Sequence, residues 1–94
     1  MKKVNKTAKQ LERHFKGVAN HWRIEILRLV EENEGIGVDK IANTLGANIK
    51  TISEHTKKLA QAGLVDKWYF GNSVKYKLSP YGKIFIRFIK SFPS

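Results

Sequence analysis

The chain contains no cysteine. That absence excludes a disulfide framework, thiolate-held zinc, cysteine-ligated iron-sulfur clusters and a cysteine nucleophile together. Proline is nearly as scarce, with Pro80 and Pro93 alone, and no Pro/Gly/Ser-rich linker, internal repeat or low-complexity tract divides the sequence. No apolar run approaches transmembrane length. The basic opening Met1-Lys2-Lys3-Val4-Asn5-Lys6 leads into Gln10-Leu11-Glu12-Arg13 rather than into an apolar stretch, so no signal peptide is expected and the protein is placed in the cytoplasm, away from membranes. Catalytic arrangements are missing as well: no carboxylate pair, Ser/His/Asp set or phosphate-cradling glycine loop stands at useful spacing. The chain reads as a non-enzyme without a cofactor. Its 94 residues, 41% apolar and 11% aromatic, suit a single folded domain spanning 1–94.

Acidic residues are the other scarcity, eight against eighteen Lys and Arg, for a formal charge of +10. The excess is uneven. Residues 1–16 carry a net +5, residues 17–49 a net −2 and residues 50–94 a net +7. Basic ends around an acidic middle direct a field at a polyanion, with nucleic acid the first candidate and an anionic membrane surface the second.

Apolar periodicity predicts five helices and a hairpin, a mainly α fold. Lys6 to Phe15 forms a first helix with Leu11 and Phe15 on one face. Asn20 caps a second, whose stripe of Ile24, Leu27 and Val30 is broadened by Ile26 and Leu29 and stops near Gly35. The glutamates Glu31, Glu32 and Glu34 oppose the helix dipole there and are expected on an exposed turn. Val38, Ile41, Ala42 and Leu45 line a third helix, Gly46 permits a tight turn, and Asn48 caps a fourth running from Ile49 to about Ala62. On that helix Ile52, His55, Thr56 and Leu59 fall on one side, and Lys50, Ser53, Glu54, Lys57 and Gln61 on the other. Two short helices set at an angle, the second apolar inside and largely basic outside, make the helix-turn-helix pattern. Leu64 to Phe70 and Val74 to Leu78, around Gly71-Asn72-Ser73, form a hairpin with Lys75 and Lys77 facing outward. Ser79 and Pro80 open a last helix, which carries Tyr81, Phe85, Phe88 and Phe92 at spacings of four, three and four and ends at Pro93.

Three segments carry a family likeness. Ala19-Asn20-His21-Trp22-Arg23-Ile24-Glu25-Ile26-Leu27-Arg28-Leu29 is similar to an Ala-Asp-Pro-x-Arg helix opening followed by an Ile-Leu pair, with His21 where proline is usual. Thr51-Ile52-Ser53-Glu54-His55-Thr56-Lys57-Lys58-Leu59 is similar to a Ser-x-His-Leu recognition helix, with Thr56 in place of leucine. Ala62-Gly63-Leu64-Val65 matches the entry to a wing. In this order and spacing the chain resembles ArsR-type winged helix-turn-helix transcriptional regulators over nearly its whole length, although MarR-like regulators share the Gly-Leu-Val wing entry. The resemblance implies a homodimer bound to double-stranded DNA, most simply a repressor.

In that fold the fourth helix enters the major groove. Lys50 can donate to guanine and Glu54 accept from cytosine; Thr51 and Ser53 suit base or phosphate; Asn48, His55, Lys57 and Lys58 complete the helix's DNA-contacting set, and Lys75 and Lys77 reach phosphate or the minor groove from the wing. The plainer reading of each lysine is solvation, and of Glu54 a surface ion pair with Lys50 or Lys58. Trp22, Trp68, Tyr69 and Phe70 suit a ligand pocket or a base platform, but core and wing packing explains them more simply. Metal sensing, common in ArsR-type proteins, has no ligands here: cysteine is absent, residues 79–94 hold no His, Asp or Glu, and His14 and His21 fall on different elements. The small-molecule effector is unspecified. Leu11, Phe15, Ile84, Phe85, Phe88, Ile89 and Phe92 exceed what one domain can bury and point to a dimer interface built by the terminal helices. Two rival readings stand beside regulation: an architectural, chromatin-like DNA binder of low specificity, and a protein-interaction module of a transcription assembly.

Overall fold

The computed structural model describes residues 5–94 and opens on a capped helix. Thr7 Oγ1 accepts from Gln10 N at 3.2 Å, and Gln10 Oε1 accepts from Thr7 N at 2.8 Å, a reciprocal capping box that satisfies two free amides. Helix α1 therefore spans Ala8–Val18, starting two residues later than Lys6 and running three past Phe15. The extension is held by packing, since His14, Gly17 and Val18 form its buried side. A side chain at Gly17 would collide with Ala62 Cβ.

Asn20 Oδ1 accepts from Trp22 N and Arg23 N and starts α2, His21–Glu32, which buries Ile26, Leu27 and Val30. Glu31 and Glu32 complete its last turn, while Glu34 lies on the exposed turn that follows, as expected. Glu31 meets Lys90 at 2.8 Å, and a cation there offsets the unfavourable position of a carboxylate at a helix C-terminus. Helix α3, Val38–Leu45, closes at Gly46, whose φ of 63° lies in the left-handed region. A Cβ would be strained in that turn. Asn48 Oδ1 then accepts from Lys50 N and Thr51 N and begins α4, Ile49–Gln61.

Strands β1, Val65–Phe70, and β2, Ser73–Leu78, pair antiparallel from Val65↔Leu78 to Phe70↔Ser73. The loop between them is Gly71-Asn72, with positive φ at its glycine, as the twist of a two-residue hairpin favours. An isolated bridge from Ile36 to Tyr76 covers the other edge of β2. Ser79 Oγ donates to Gly63 O at 2.6 Å and accepts from Gly82 N at 3.0 Å. This ties the wing entry to the start of α5, Pro80–Lys90, which stops short of Pro93. These are the five helices and two-stranded wing that the sequence predicts.

Ile26, Leu27, Ile41, Ile52, Leu59, Leu64 and Ile86 are fully buried, each contributing about 1.5–3 kcal/mol by leaving water. Two of them, Ile52 and Leu59, come from the inner side of α4. Thr56, 1% exposed, joins them because its hydroxyl donates to Ser53 O at 2.9 Å and so carries no unsatisfied group into the core. With its inner side fixed, α4 presents its outer side as a rigid surface.

Candidate nucleic-acid interface

Lys50, Ser53, Glu54, Lys57 and Gln61 are all exposed along that outer side, and Thr51 and Lys58 are exposed on its flank. Ile49, half exposed at the start of the same helix, was not among the residues expected there. Asn48 is engaged through its oxygen in capping, which leaves its side-chain amide to donate outward. The ion pairs among the described residues are Glu12–Lys16, Glu25–Arg28 and Glu31–Lys90. None involves α4. Lys50, Lys57 and Lys58 thus keep their charge unneutralised by the protein, and Glu54 does not form the surface pair its spacing permits.

His55 is half-buried between α4 and the start of α2. Its Nδ1 accepts from Arg23 Nε at 3.1 Å, while Arg23 NH1 donates to the Lys16 and Gly17 carbonyls at 3.2 Å each. Burial, then the Arg23 charge, then His21 and Lys58 press the His55 pKa below its ordinary value, with Glu54 opposing. Arg23 is the buttress of this corner, a role that its place in a helix opening does not signal in the sequence.

The wing differs from expectation in two respects. Lys75 and Lys77 share the face of Trp68 and Asp66, as the register requires; Lys77 is exposed as expected, whereas Lys75 is only partly so. Lys75 is half-buried beside Glu34 and Lys40, and Lys77 shares a cleft with Glu31, Glu34 and Asp66 while its ammonium sits 5.7 Å from the Trp68 ring. Lys67 occupies the opposite face, level with buried Tyr76, yet is exposed; strand alternation alone places it inward. The aromatics also divide. Trp22 packs against the core as expected, whereas Tyr69 and Phe70 at the wing tip are 67% and 74% exposed and so do not serve as packing residues.

On the far side, Leu11, Phe15, Ile84, Phe88 and Phe92 lie between 43% and 63% exposed and form a continuous apolar face over α1 and α5. Ile89 is half-buried there. Phe85 is a correction: at 9% exposure it belongs to the core, meeting Phe15 edge to face at 5.1 Å, and it floors the apolar face instead of projecting from it. Helix α1 also grips the end of α4. Arg13 donates to Gln61 O at 3.1 and 2.6 Å, and His14 donates from Nδ1 to Ala62 O at 2.7 Å, its ring 4.6 Å from that of Tyr81. Neither contact is visible in the sequence, because both acceptors are backbone. His14 and His21 lie on separate helices, and no group of three metal-capable side chains gathers among the described residues.

No helix among the described residues is long and apolar enough to cross a membrane. The fold is similar to that of HlyU from Vibrio cholerae, with TM-score 0.80 and 26% identity over 92% of this chain and 94% of that one. It is similar to the homodimeric winged helix-turn-helix DNA-binding domain of Mb0332 from Mycobacterium bovis, a possible ArsR-family transcriptional regulator, with TM-score 0.78 and 25% identity over 94% and 88% of the two chains. NolR from Sinorhizobium fredii shares the fold at TM-score 0.77 and 23% identity, over 97% and 94%. No curated protein matches in sequence. The MarR family model matches residues 20–67, from the cap of α2 through the turn and α4 into the wing, and the chain accordingly belongs to the MarR family.

Proposed function

We propose that this chain acts in the cytoplasm as a sequence-specific regulator of transcription, one domain spanning 1–94 that binds double-stranded DNA as a homodimer and represses by excluding polymerase. The observation that carries the reading is the outer side of α4: exposed lysines without an ion-pair partner, interspersed with Ser53 and Glu54, on a helix whose inner side is locked into the core. Unpaired lysines supply phosphate attraction, and the intervening polar groups supply base discrimination. Within the winged-helix regulators we place it nearest the ArsR type, on the motifs at 19–29 and 51–59 and on the likeness to Mb0332, but without that type's metal-sensing ligands. A two-fold pairing across α1 and α5 would set two α4 helices about 34 to 36 Å apart, one turn of DNA.

Selection of bound sequences from a random duplex pool, followed by titration of the selected and random duplexes at matched salt, tests this. Regulators bind their sites about 10³-fold or more tighter than random DNA. Equal affinities would favour the architectural reading, and no retention on DNA at low salt would favour a protein-interaction module.

A further inference from the structure

We propose that His55, fixed by Arg23 as the Nε2–H tautomer, is a neutral hydrogen-bond donor to a backbone phosphate at the wall of the major groove. This rests on the DNA-binding reading and assigns one contact within it. A guanidinium has donors only, so its bond to His55 Nδ1 at 3.1 Å places a lone pair on Nδ1 and the ring's proton on Nε2. Two further bonds, to the Lys16 and Gly17 carbonyls, keep the guanidinium from turning away. No buried side-chain nitrogen or oxygen among the described residues lacks a partner, and His55 Nε2 bonds to no protein group; it therefore faces solvent.

What it faces follows from its place on the helix. Lys50, Glu54, Lys57 and Gln61 form the outward line, whereas Thr51 and Lys58, four residues before and three after His55, share its flank. A helix whose outward line points into the groove presents its flank to the sugar-phosphate wall. The groups around the ring favour an anion: Arg23 from α2 and Lys58 from α4 outweigh the single carboxylate of Glu54. Protonation would bring a second N–H against Arg23 Nε, so the ring stays neutral and donates without being a counterion-releasing charge. Arg23 is a positioning residue and touches no DNA.

The test uses a labelled duplex of random sequence, with binding followed by anisotropy at several salt concentrations. His55→Ala is expected to bind about tenfold more weakly for each protomer in contact, the loss typical of a hydrogen bond to a charged acceptor, and so on the order of a hundredfold for a dimer, on every sequence and with an unchanged log-affinity against log-salt slope. His55→Gln, which keeps an N–H at similar reach, recovers most of it. Lys58→Ala instead flattens the slope by about 0.9 per contact. Ring nitrogen shifts of His55 should report the Nε2–H form in the wild type, and Arg23→Met should move its pKa up, so that the variant alone gains affinity as pH falls from about 8 to about 6. Wild-type affinity in His55→Ala, a loss confined to the selected operator, or an Nδ1–H ring would each overturn the proposal while leaving DNA binding intact. Failure of the wild-type protein to bind any duplex would overturn both.

Discussion

Placing a carboxylate on the apolar face of α5 is the sharpest perturbation of the proposed homodimer. Phe88 is half exposed, at 50%, and covering the remaining half contributes about 1 to 1.5 kcal/mol. Two-fold symmetry doubles every such term, so Phe88→Ala should weaken dimerisation by about 2 to 3 kcal/mol, on the order of a hundredfold in Kd. Phe88→Glu adds the desolvation of two carboxylates among Phe15, Phe85 and Phe92. Of the cations bordering the two recesses that Phe88 lines, Arg28 is already paired with Glu25 at 3.3 Å and Lys6 sits over the Tyr81 ring at 4.4 Å, and an uncompensated buried charge costs about 3 to 5 kcal/mol. The glutamate variant should therefore be monomeric at concentrations where the wild type is fully dimeric, and the alanine variant should dissociate on dilution. Size-exclusion with light scattering over a dilution series gives the order, and circular dichroism should stay helical because Phe88 lies outside the core. Duplex binding should fall with dimer fraction. A wild-type monomer at tens of micromolar, or a Phe88→Glu dimer as tight as the wild type, would refute the reasoning.

Gly17→Ala would drive a methyl into Ala62 and should destabilise the fold by about 1 to 3 kcal/mol; an unchanged thermal midpoint would mean that α1 does not dock this closely on α4. If a dimer neutralises about eight phosphates, log affinity should fall against log salt with a slope of about −7, and a flat plot would speak against DNA as the partner. Stability should depend on His55 protonation: the unfolded ring takes its proton near 6.5, whereas the folded ring, held lower by burial and then by Arg23, resists it. The contribution is therefore present above pH 6.5 and lost as pH falls through the folded value. Thermal midpoints measured downward from neutral pH should drop, and His55→Gln should flatten that drop.

Much of the architecture was legible because it rests on local signals. Asn20, Asn48 and Ser79 cap the helices they were expected to cap, Gly46 makes the turn, and the inner and outer sides of α4 follow from helical spacing alone. The start of α1 was misjudged because the capping box at Thr7 and Gln10 competes with the apolar spacing that suggested Lys6. Its end was misjudged because Gly17 is held by contact with Ala62, forty-five positions away. The same limit applies to the candidate site. Lys50, Ser53 and Lys57 announce themselves by position, whereas Arg23 matters through a bond to His55 and Arg13 and His14 through bonds to carbonyls, none of which leaves a pattern in sequence. Phe85 carries the same aromatic signal as Phe88, and only the three-dimensional position of α5 separates a core residue from a surface one.

The anchoring of α4 by Arg13 and His14 bears on how this scaffold can change its target. Both side chains hold main-chain oxygens, at Gln61 and Ala62, and every amino acid supplies that oxygen. The clamp on α4 is thus indifferent to the side chain at 61, and the outward positions 50, 53, 54 and 57 likewise make no contribution to the core. If α4 reads DNA as proposed, a library varied at these five sites could acquire new operators without repacking the domain, provided that position 62 stays small enough for Gly17. Adaptability and rigidity are assigned to different atoms of the same helix.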